Sequence, residues 1–281
     1  VVVAGSGSGY GPLPVEEGKS VHYGWVRGPL TAKNVGVPLE KAITDPACLT
    51  PMARCFDDIP EKTGRRVFIP HCGTERLPLD WNAICRNAGL DYLSPSGESK
   101  EVIRKIASAD VVITESMHGA IIADAFRVPF IPVAISPTFN SFKWEDWALS
   151  MELSITPAMA LRPLKAAYYG FKKVQKTMSR PRPATVSQPT RSSGIRFPKS
   201  PRQHTMQEYR LNDKDKHHAR SLSKTLAPAI EWALTRDLAR AARREPYLSS
   251  QAVLERQQGR ILERLSQLRI ELRDLPRTIE R

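Results

Sequence analysis

The feature that most constrains this chain is a series of short apolar runs at 1–5, 21–26, 67–70, 111–114 and 130–135, rich in Val and Ile and bounded by turn-forming residues. A strand with one wet face alternates apolar and polar residues. A strand apolar throughout is covered on both faces, as in a parallel sheet between two layers of helix. Helical patterns fill the gaps: 79–87 and 99–109 are amphipathic, 117–126 is small and apolar, and 142–151 carries two tryptophans. Strands and helices alternating at this spacing predict βαβ units and a doubly wound α/β fold. The run at 1–5 opens without a start signal, so it reads as a strand of a first unit whose N-terminal part is truncated.

The polar stretch Asp57-Asp58-Ile59-Pro60-Glu61-Lys62-Thr63-Gly64 divides residues 1–60, the C-terminal part of that first unit, from a second α/β unit at 61–165. Two such units would face one another across a cleft, with ligands at the carboxyl ends of the strands. Residues 166–177 read as a basic amphipathic helix, and 178–206 as a Pro/Ser/Arg-rich linker. Residues 207–281 read as a helical tail. In it Leu254, Ile261, Leu265, Leu268, Leu272 and Leu275 follow a 7-4-3-4-3 rhythm, which suits a helical pair or a short coiled coil with Gln258 in its seam.

Charge separates the same halves. Residues 1–150 hold 15 Lys+Arg against 17 Asp+Glu, whereas 151–281 hold 27 against 12, so the net +13 belongs to the second half. That half lacks interleaved aromatics and any recognisable nucleic-acid module, so no nucleic-acid partner is expected. Around 164–177, lysines alternate with Tyr168, Tyr169 and Phe171, which suits peripheral contact with an anionic membrane. No run is long and apolar enough to span a bilayer, and no signal peptide opens the chain. The expected compartment is the cytoplasm, including the inner face of the cytoplasmic membrane. Cys48, Cys55, Cys72 and Cys85 lack the close pairing of a zinc site or a disulfide framework and read as free, buried or half-buried thiols; no metal is expected.

Several residues at strand ends bear chemistry. Gly7, Gly9 and Tyr10 lie in a glycine-rich loop after the first strand, where backbone N–H groups can approach an anion or a sugar. Arg27 ends the second strand, and its planar fork suits carboxylate or phosphate. Glu115, Ser116, His118 and Gly119 occupy a strand-to-helix turn. There, helix N–H groups favour anions and a histidine can donate to phosphate or pass a proton. His71 repeats that placement one unit earlier, and Lys143 follows the last strand as a further cation. Each also has a bland reading: a flexible turn, a surface ion pair, a hydrogen-bonded loop histidine.

Taken in order, Val26-Arg27-Gly28-Pro29-Leu30-Thr31, Thr44-Asp45-Pro46-Ala47, Ile69-Pro70-His71, Glu115-Ser116-Met117-His118-Gly119-Ala120-Ile121 and Lys143-Trp144 form a set. That set resembles the polysaccharide pyruvyltransferases, most closely their exopolysaccharide ketal-pyruvate transferase branch, over about residues 1–165. The resemblance implies two Rossmann-like units in a GT-B-like arrangement and a metal-free reaction without a cofactor, with phosphoenolpyruvate as co-substrate. The implied acceptor is a lipid-linked oligosaccharide or polysaccharide. Arg27 and His118 match the family's donor-binding arginine and histidine. Other branches carry an arginine where this chain has Ser116, and Lys143 is the candidate substitute. His118 or Glu115 would serve as general acid and His71 as base, with Ser116 and Gly119 at the donor and Gly7, Gly9 and Tyr10 at the acceptor.

Two rival readings use the same residues. One is a glycosyltransferase that takes a nucleotide-sugar, since fold does not decide function. The other is an inactive truncated adaptor that binds an anionic polymer or membrane through its basic half.

Overall fold

The computed structural model describes residues 1–9, 21–136, 139–160 and 213–273, the last with side chains over 227–271. Tyr10, the expected helix at 166–177 and the linker at 178–206 lie outside the described residues.

Two parallel sheets form. In the smaller one, β1 (Val2–Ala4) pairs with β2 (His22–Trp25), and a bridge from Val26 to Ala42 extends it. The larger has the order β4-β3-β5-β6-β7, with β3 Arg66–Ile69, β4 Asp91–Tyr92, β5 Val111–Thr114, β6 Phe130–Ala134 and β7 Ala158–Met159, every pairing parallel. Parallel neighbours need crossovers, which helices supply. Here α1 (Pro29–Val35) follows β2, and α2 (Cys72–Glu75) and α3 (Trp81–Asn87) follow β3. Then α4 (Ser99–Ala107), α5 (Met117–Ala125) and α6 (Ser141–Ser150) follow β4, β5 and β6 in turn. Side chains start these helices: Asp80 accepts from the Ala83 amide, Glu98 from Glu101, Ser116 from Gly119 and Asn140 from Lys143.

The interior strand β6 is buried at every position yet contains Pro132, which has no N–H for a ladder. Phe130 exchanges hydrogen bonds with Tyr247, and Ala134 accepts from Ala160. Pro132 falls in the gap between these pairings, where no donor is required.

Alternate side chains of the large sheet enter two cores. Val67, Ile69, Val112 and Phe130 face one; Phe68, Ile113, Ile131 and Val133 face the other. The C-terminal helices α7 (Asp213–Ala241) and α8 (Gln251–Arg273) complete both layers. Ile230, Leu234, Leu238 and Ala241 of α7 pack beside α3 in the second core, while Val253, Leu254, Ile261 and Leu268 of α8 join the first. Burying each such aliphatic side chain contributes about 1.5–3 kcal/mol, enough to dock both helices against the sheet. Leu254, Ile261 and Leu268 therefore pack on the α/β core rather than in a seam between two helices. Gln258 donates to the Cys48 carbonyl at 2.8 Å.

The first core also joins the segments on either side of residues 57–64. Trp25, Ile43 and Cys48 cluster with Ile69, Val112 and Ile121. The polar stretch itself is fastened: Lys62 donates to the carbonyls of Ala107 and Ala109, and Arg104 donates to Asp58 at 2.7 Å. Cys48 and Cys85 are buried and Cys55 and Cys72 exposed, so two of the thiols are more open than their sequence context indicated. Burial pushes the Cys48 thiol up to about 12, helped by Asp45 and Asp124, which leaves it unreactive.

Candidate functional site

The carboxyl ends of β3, β5 and β6 meet at one side chain. Glu115, 3% exposed, accepts from the backbone N–H of His71 (3.1 Å) at one oxygen, and from those of Ile135 (3.3 Å) and Ser136 (2.7 Å) at the other. Three amides in fixed positions around a buried carboxylate hold these loops in register. The glutamate picked out as an acid from its place beside His118 thus faces inward onto backbone, with its oxygens engaged.

The turn from β5 into α5 is equally constrained. Thr114 Oγ1 accepts from the Ser116 amide at 2.9 Å, and Ser116 Oγ accepts from the Gly119 amide at 3.4 Å. A Cβ on Gly119 would lie 2.7 Å from Thr114 Oγ1, so only glycine fits there. The turn presents His118 in the first turn of α5, with 65% of its side chain exposed. Its Nε2 lies 3.7 Å from Asp45 Oδ2, whose side chain is 11% exposed. Asp45 is itself fixed, because its Oδ1 accepts from the Ala47 amide at 3.0 Å and caps the 3-10 turn Pro46–Met52.

His71 caps the short helix α2, its Nδ1 accepting from the Gly73 amide at 3.1 Å. With Nδ1 engaged, the neutral ring carries its proton on Nε2 and presents a donor there. Cys72 Sγ lies 4.0 Å from that nitrogen.

A second group gathers around Asp146 of α6, which is 0% exposed. Arg27, 4% exposed, reaches Asp146 Oδ2 through Nε at 3.2 Å and donates from Nη2 to the Ser8 carbonyl at 3.3 Å. Thr31 donates to the same carboxylate from its amide (2.9 Å) and its hydroxyl (2.6 Å), and it accepts from the Ser8 amide. Gly7 covers the arginine so closely that a Cβ there would fall 2.1 Å from Arg27 Nη2. Gly9 lies against Lys143, 3.0 Å from its Cγ to an ideal Cβ, and the Gly9 carbonyl accepts from Asn140 Nδ2 at 2.8 Å. The glycine-rich loop is thus bonded to Arg27 and Asn140 and lies against Lys143, and the arginine whose fork suited an anion is buried in an ion pair.

The two groups adjoin through Gly5, whose ideal Cβ would lie 2.4 Å from Cδ of Pro46, the neighbour of Asp45. Asp45 and Asp146 were not singled out from sequence as site residues. Asp45 stood within the Thr44-Asp45-Pro46-Ala47 segment, which was a sufficient signal; Asp146 lay between two tryptophans and carried none. A separate hollow of about 300 Å³ opens on α6 between Trp144, Leu149 and Ile155, and none of the histidines lines it. Among the described residues no three His, Cys, Asp or Glu side chains converge as metal ligands, and no helix is long and apolar enough to cross a membrane.

Comparison with known proteins bears on this geometry. Residues 26–137 match the family model "Polysaccharide pyruvyl transferase", an interval that contains Arg27, Asp45, His71, Glu115, Ser116, His118 and Gly119 but not Gly7, Gly9 or Lys143. The chain is 46% identical over 162 residues to the succinoglycan biosynthesis protein ExoV of Rhizobium meliloti (strain 1021). That alignment covers 56% of this chain and 49% of the relative, so the chain spans about half the length of the curated relative it matches. No solved structure matches it. Residues 26–137 are therefore similar to the polysaccharide pyruvyl transferase family.

Proposed function

We propose that this chain transfers a pyruvyl group from phosphoenolpyruvate to a sugar of an exopolysaccharide repeat-unit intermediate and closes it into a ketal. The observation that carries the reading is the pair His118 and Asp45, an accessible imidazole beside a fixed carboxylate inside the interval that matches the family. The exopolysaccharide setting rests on the name of the relative from Rhizobium meliloti. The architecture we attach to it is two Rossmann-like units in a GT-B-like arrangement.

The first-turn N–H groups of α5 favour an anion, and the phosphate and carboxylate of phosphoenolpyruvate supply one. His118 delivers a proton to the methylene carbon, which becomes a methyl group, while a sugar hydroxyl bonds to the adjacent carbon and returns its proton to His118. A second hydroxyl then displaces phosphate, which leaves with the electrons of its C–O bond and takes up that hydroxyl's proton. Asp45 orients the His118 ring and balances its charge when protonated; such proton transfers contribute about 10²–10⁴-fold. His71, its Nδ1 taken by Gly73, offers Nε2–H to the phosphate rather than acting as a base. Glu115 is a positioning residue, as are Arg27 and Gly7, which hold the 5–9 loop beside Lys143. No metal or cofactor enters this scheme.

A thermal-shift titration separates this reading from a nucleotide-sugar transferase on the same architecture. Phosphoenolpyruvate is expected to raise the melting temperature of the full chain, with UDP-sugars having no effect. The reverse pattern would overturn the proposal.

A further inference from the structure

Four of the chain's five tryptophans are core residues: Trp25, Trp81, Trp144 and Trp147 are between 1% and 5% exposed. Trp232 is 65% exposed, on the outer side of α7. The inner side of that helix is fully used, with Ile230, Leu234 and Leu238 in the core and Thr235 Oγ1 directed at the Ile84 carbonyl. Packing therefore does not account for the indole.

Positions 232, 236 and 240 succeed one another at intervals of four, which sets them on a single stripe of the helix. They are Trp232, Arg236 and Arg240, and Arg243 and Arg244 follow in the turn after Ala241 ends α7. The Arg236 guanidinium stands 5.1 Å from the centroid of the Trp232 ring, and the Arg240 side chain is 70% exposed. Arg243 and Arg244 are exposed as well. The acidic neighbours are Asp237, 11% exposed and paired with Arg236 at 3.0 Å and Arg240 at 3.9 Å, and the exposed Glu245. Four guanidinium groups thus face two carboxylates, one of which is withdrawn from the surface.

We infer that this face of α7 docks peripherally on an anionic lipid surface. Guanidinium forks bind phosphate oxygens in pairs, and juxtamembrane arginines are drawn by the negative potential of acidic headgroups. The indole settles the choice between lipid and a soluble polyanion: tryptophan is suited to the headgroup level, where its ring meets apolar chains and its N–H stays wet. A soluble polyanion would engage the guanidinium groups but gives the indole no apolar phase to enter, and one face of the ring is already taken by Arg236. This inference is independent of the pyruvyl-transfer reading and involves none of its residues.

The test is co-sedimentation of the full chain with vesicles of phosphatidylcholine alone and with about 30% phosphatidylglycerol, at about 0.1 M and about 0.5 M salt. Binding is expected only with the anionic lipid and is expected to fall steeply at the higher salt. Arg240→Glu with Arg243→Glu should weaken it roughly tenfold or more, and Trp232→Ala several-fold, with the melting temperature unchanged because these side chains lie outside the core. Failure to bind anionic vesicles would overturn the inference, as would binding indifferent to the double charge reversal. Loss of binding on charge reversal with no effect of Trp232→Ala, and with equal capture by a soluble anionic polysaccharide, would reassign the face to a polyanion.

Discussion

Arg27 and Asp146, 119 positions apart in sequence, form a buried ion pair with Nε to Oδ2 at 3.2 Å and side chains 4% and 0% exposed. The pair ties the end of β2 to α6, and with Thr31 and Ser8 it anchors the glycine-rich loop. Removing one member strands the other in a dry site. Asp146→Ala should therefore cost about 3–5 kcal/mol in urea unfolding. Asp91→Ala, which breaks the exposed Arg65–Asp91 bridge, should cost at most about 1 kcal/mol. Equal effects of the two variants would refute the anchoring role.

Asp45 does two things that a conservative change can separate. Asn at this position still accepts from the Ala47 amide, so the turn keeps its cap, but it carries no charge toward His118. Asp45→Asn should lower kcat by about 10²-fold or more while KM for phosphoenolpyruvate and the melting temperature hold. A drop in stability with normal kcat would make Asp45 a capping residue only.

Glu115→Gln discriminates between a positioning residue and an acid. The amide nitrogen of glutamine cannot accept, so it would confront at least one of the three backbone N–H groups that now donate to the carboxylate. A stability loss of about 1–3 kcal/mol is expected alongside the loss of rate. A variant as stable as wild type yet inactive would return Glu115 to the chemistry.

Glu75 provides a pH signature at the end of α2. Partial burial pushes its carboxyl up, but the hydroxyls of Ser94, Ser96 and Tyr92, together with nearby Arg76, outweigh that and hold it below the usual carboxylate range. A depressed folded-state pKa contributes stability above the unfolded value and loses it as pH falls through the folded one. Wild type should thus lose stability toward acid more steeply than Glu75→Gln. Parallel acid limbs for the two proteins would show that the carboxylate contributes nothing.

The sequence carried the interior strands because parallel strands covered on both faces must be apolar throughout, and β5 is found where that pattern put it, at Val111–Thr114. The two-residue strands β4 and β7 left no such trace, being too short to set a pattern. Apolar spacing in α7 and α8 was legible, but the same spacing serves a coiled coil or a layer on a sheet. Only the three-dimensional partners, such as Cys48 for Gln258, decide between them. At the site, His118 was readable from its place in a strand-to-helix turn. Its relation to Asp45 was not, because 73 residues separate them and only the packing of the Pro46–Met52 turn against α5 brings them together. Glu115 looked chemical for the same reason as His118, yet its side chain turns inward to meet the backbone at the ends of β3 and β6, which no local pattern reveals.

The most direct measurement is phosphate release from phosphoenolpyruvate by the full chain, with and without an exopolysaccharide repeat-unit acceptor, for wild type and His118→Ala. Release is expected to require the acceptor and to fall about 10²-fold or more in the variant, whose melting temperature stays at the wild-type value because the side chain is exposed. Near-native release by His118→Ala, or no release from phosphoenolpyruvate under conditions in which a nucleotide-sugar is consumed, would contradict the pyruvyl-transfer reading.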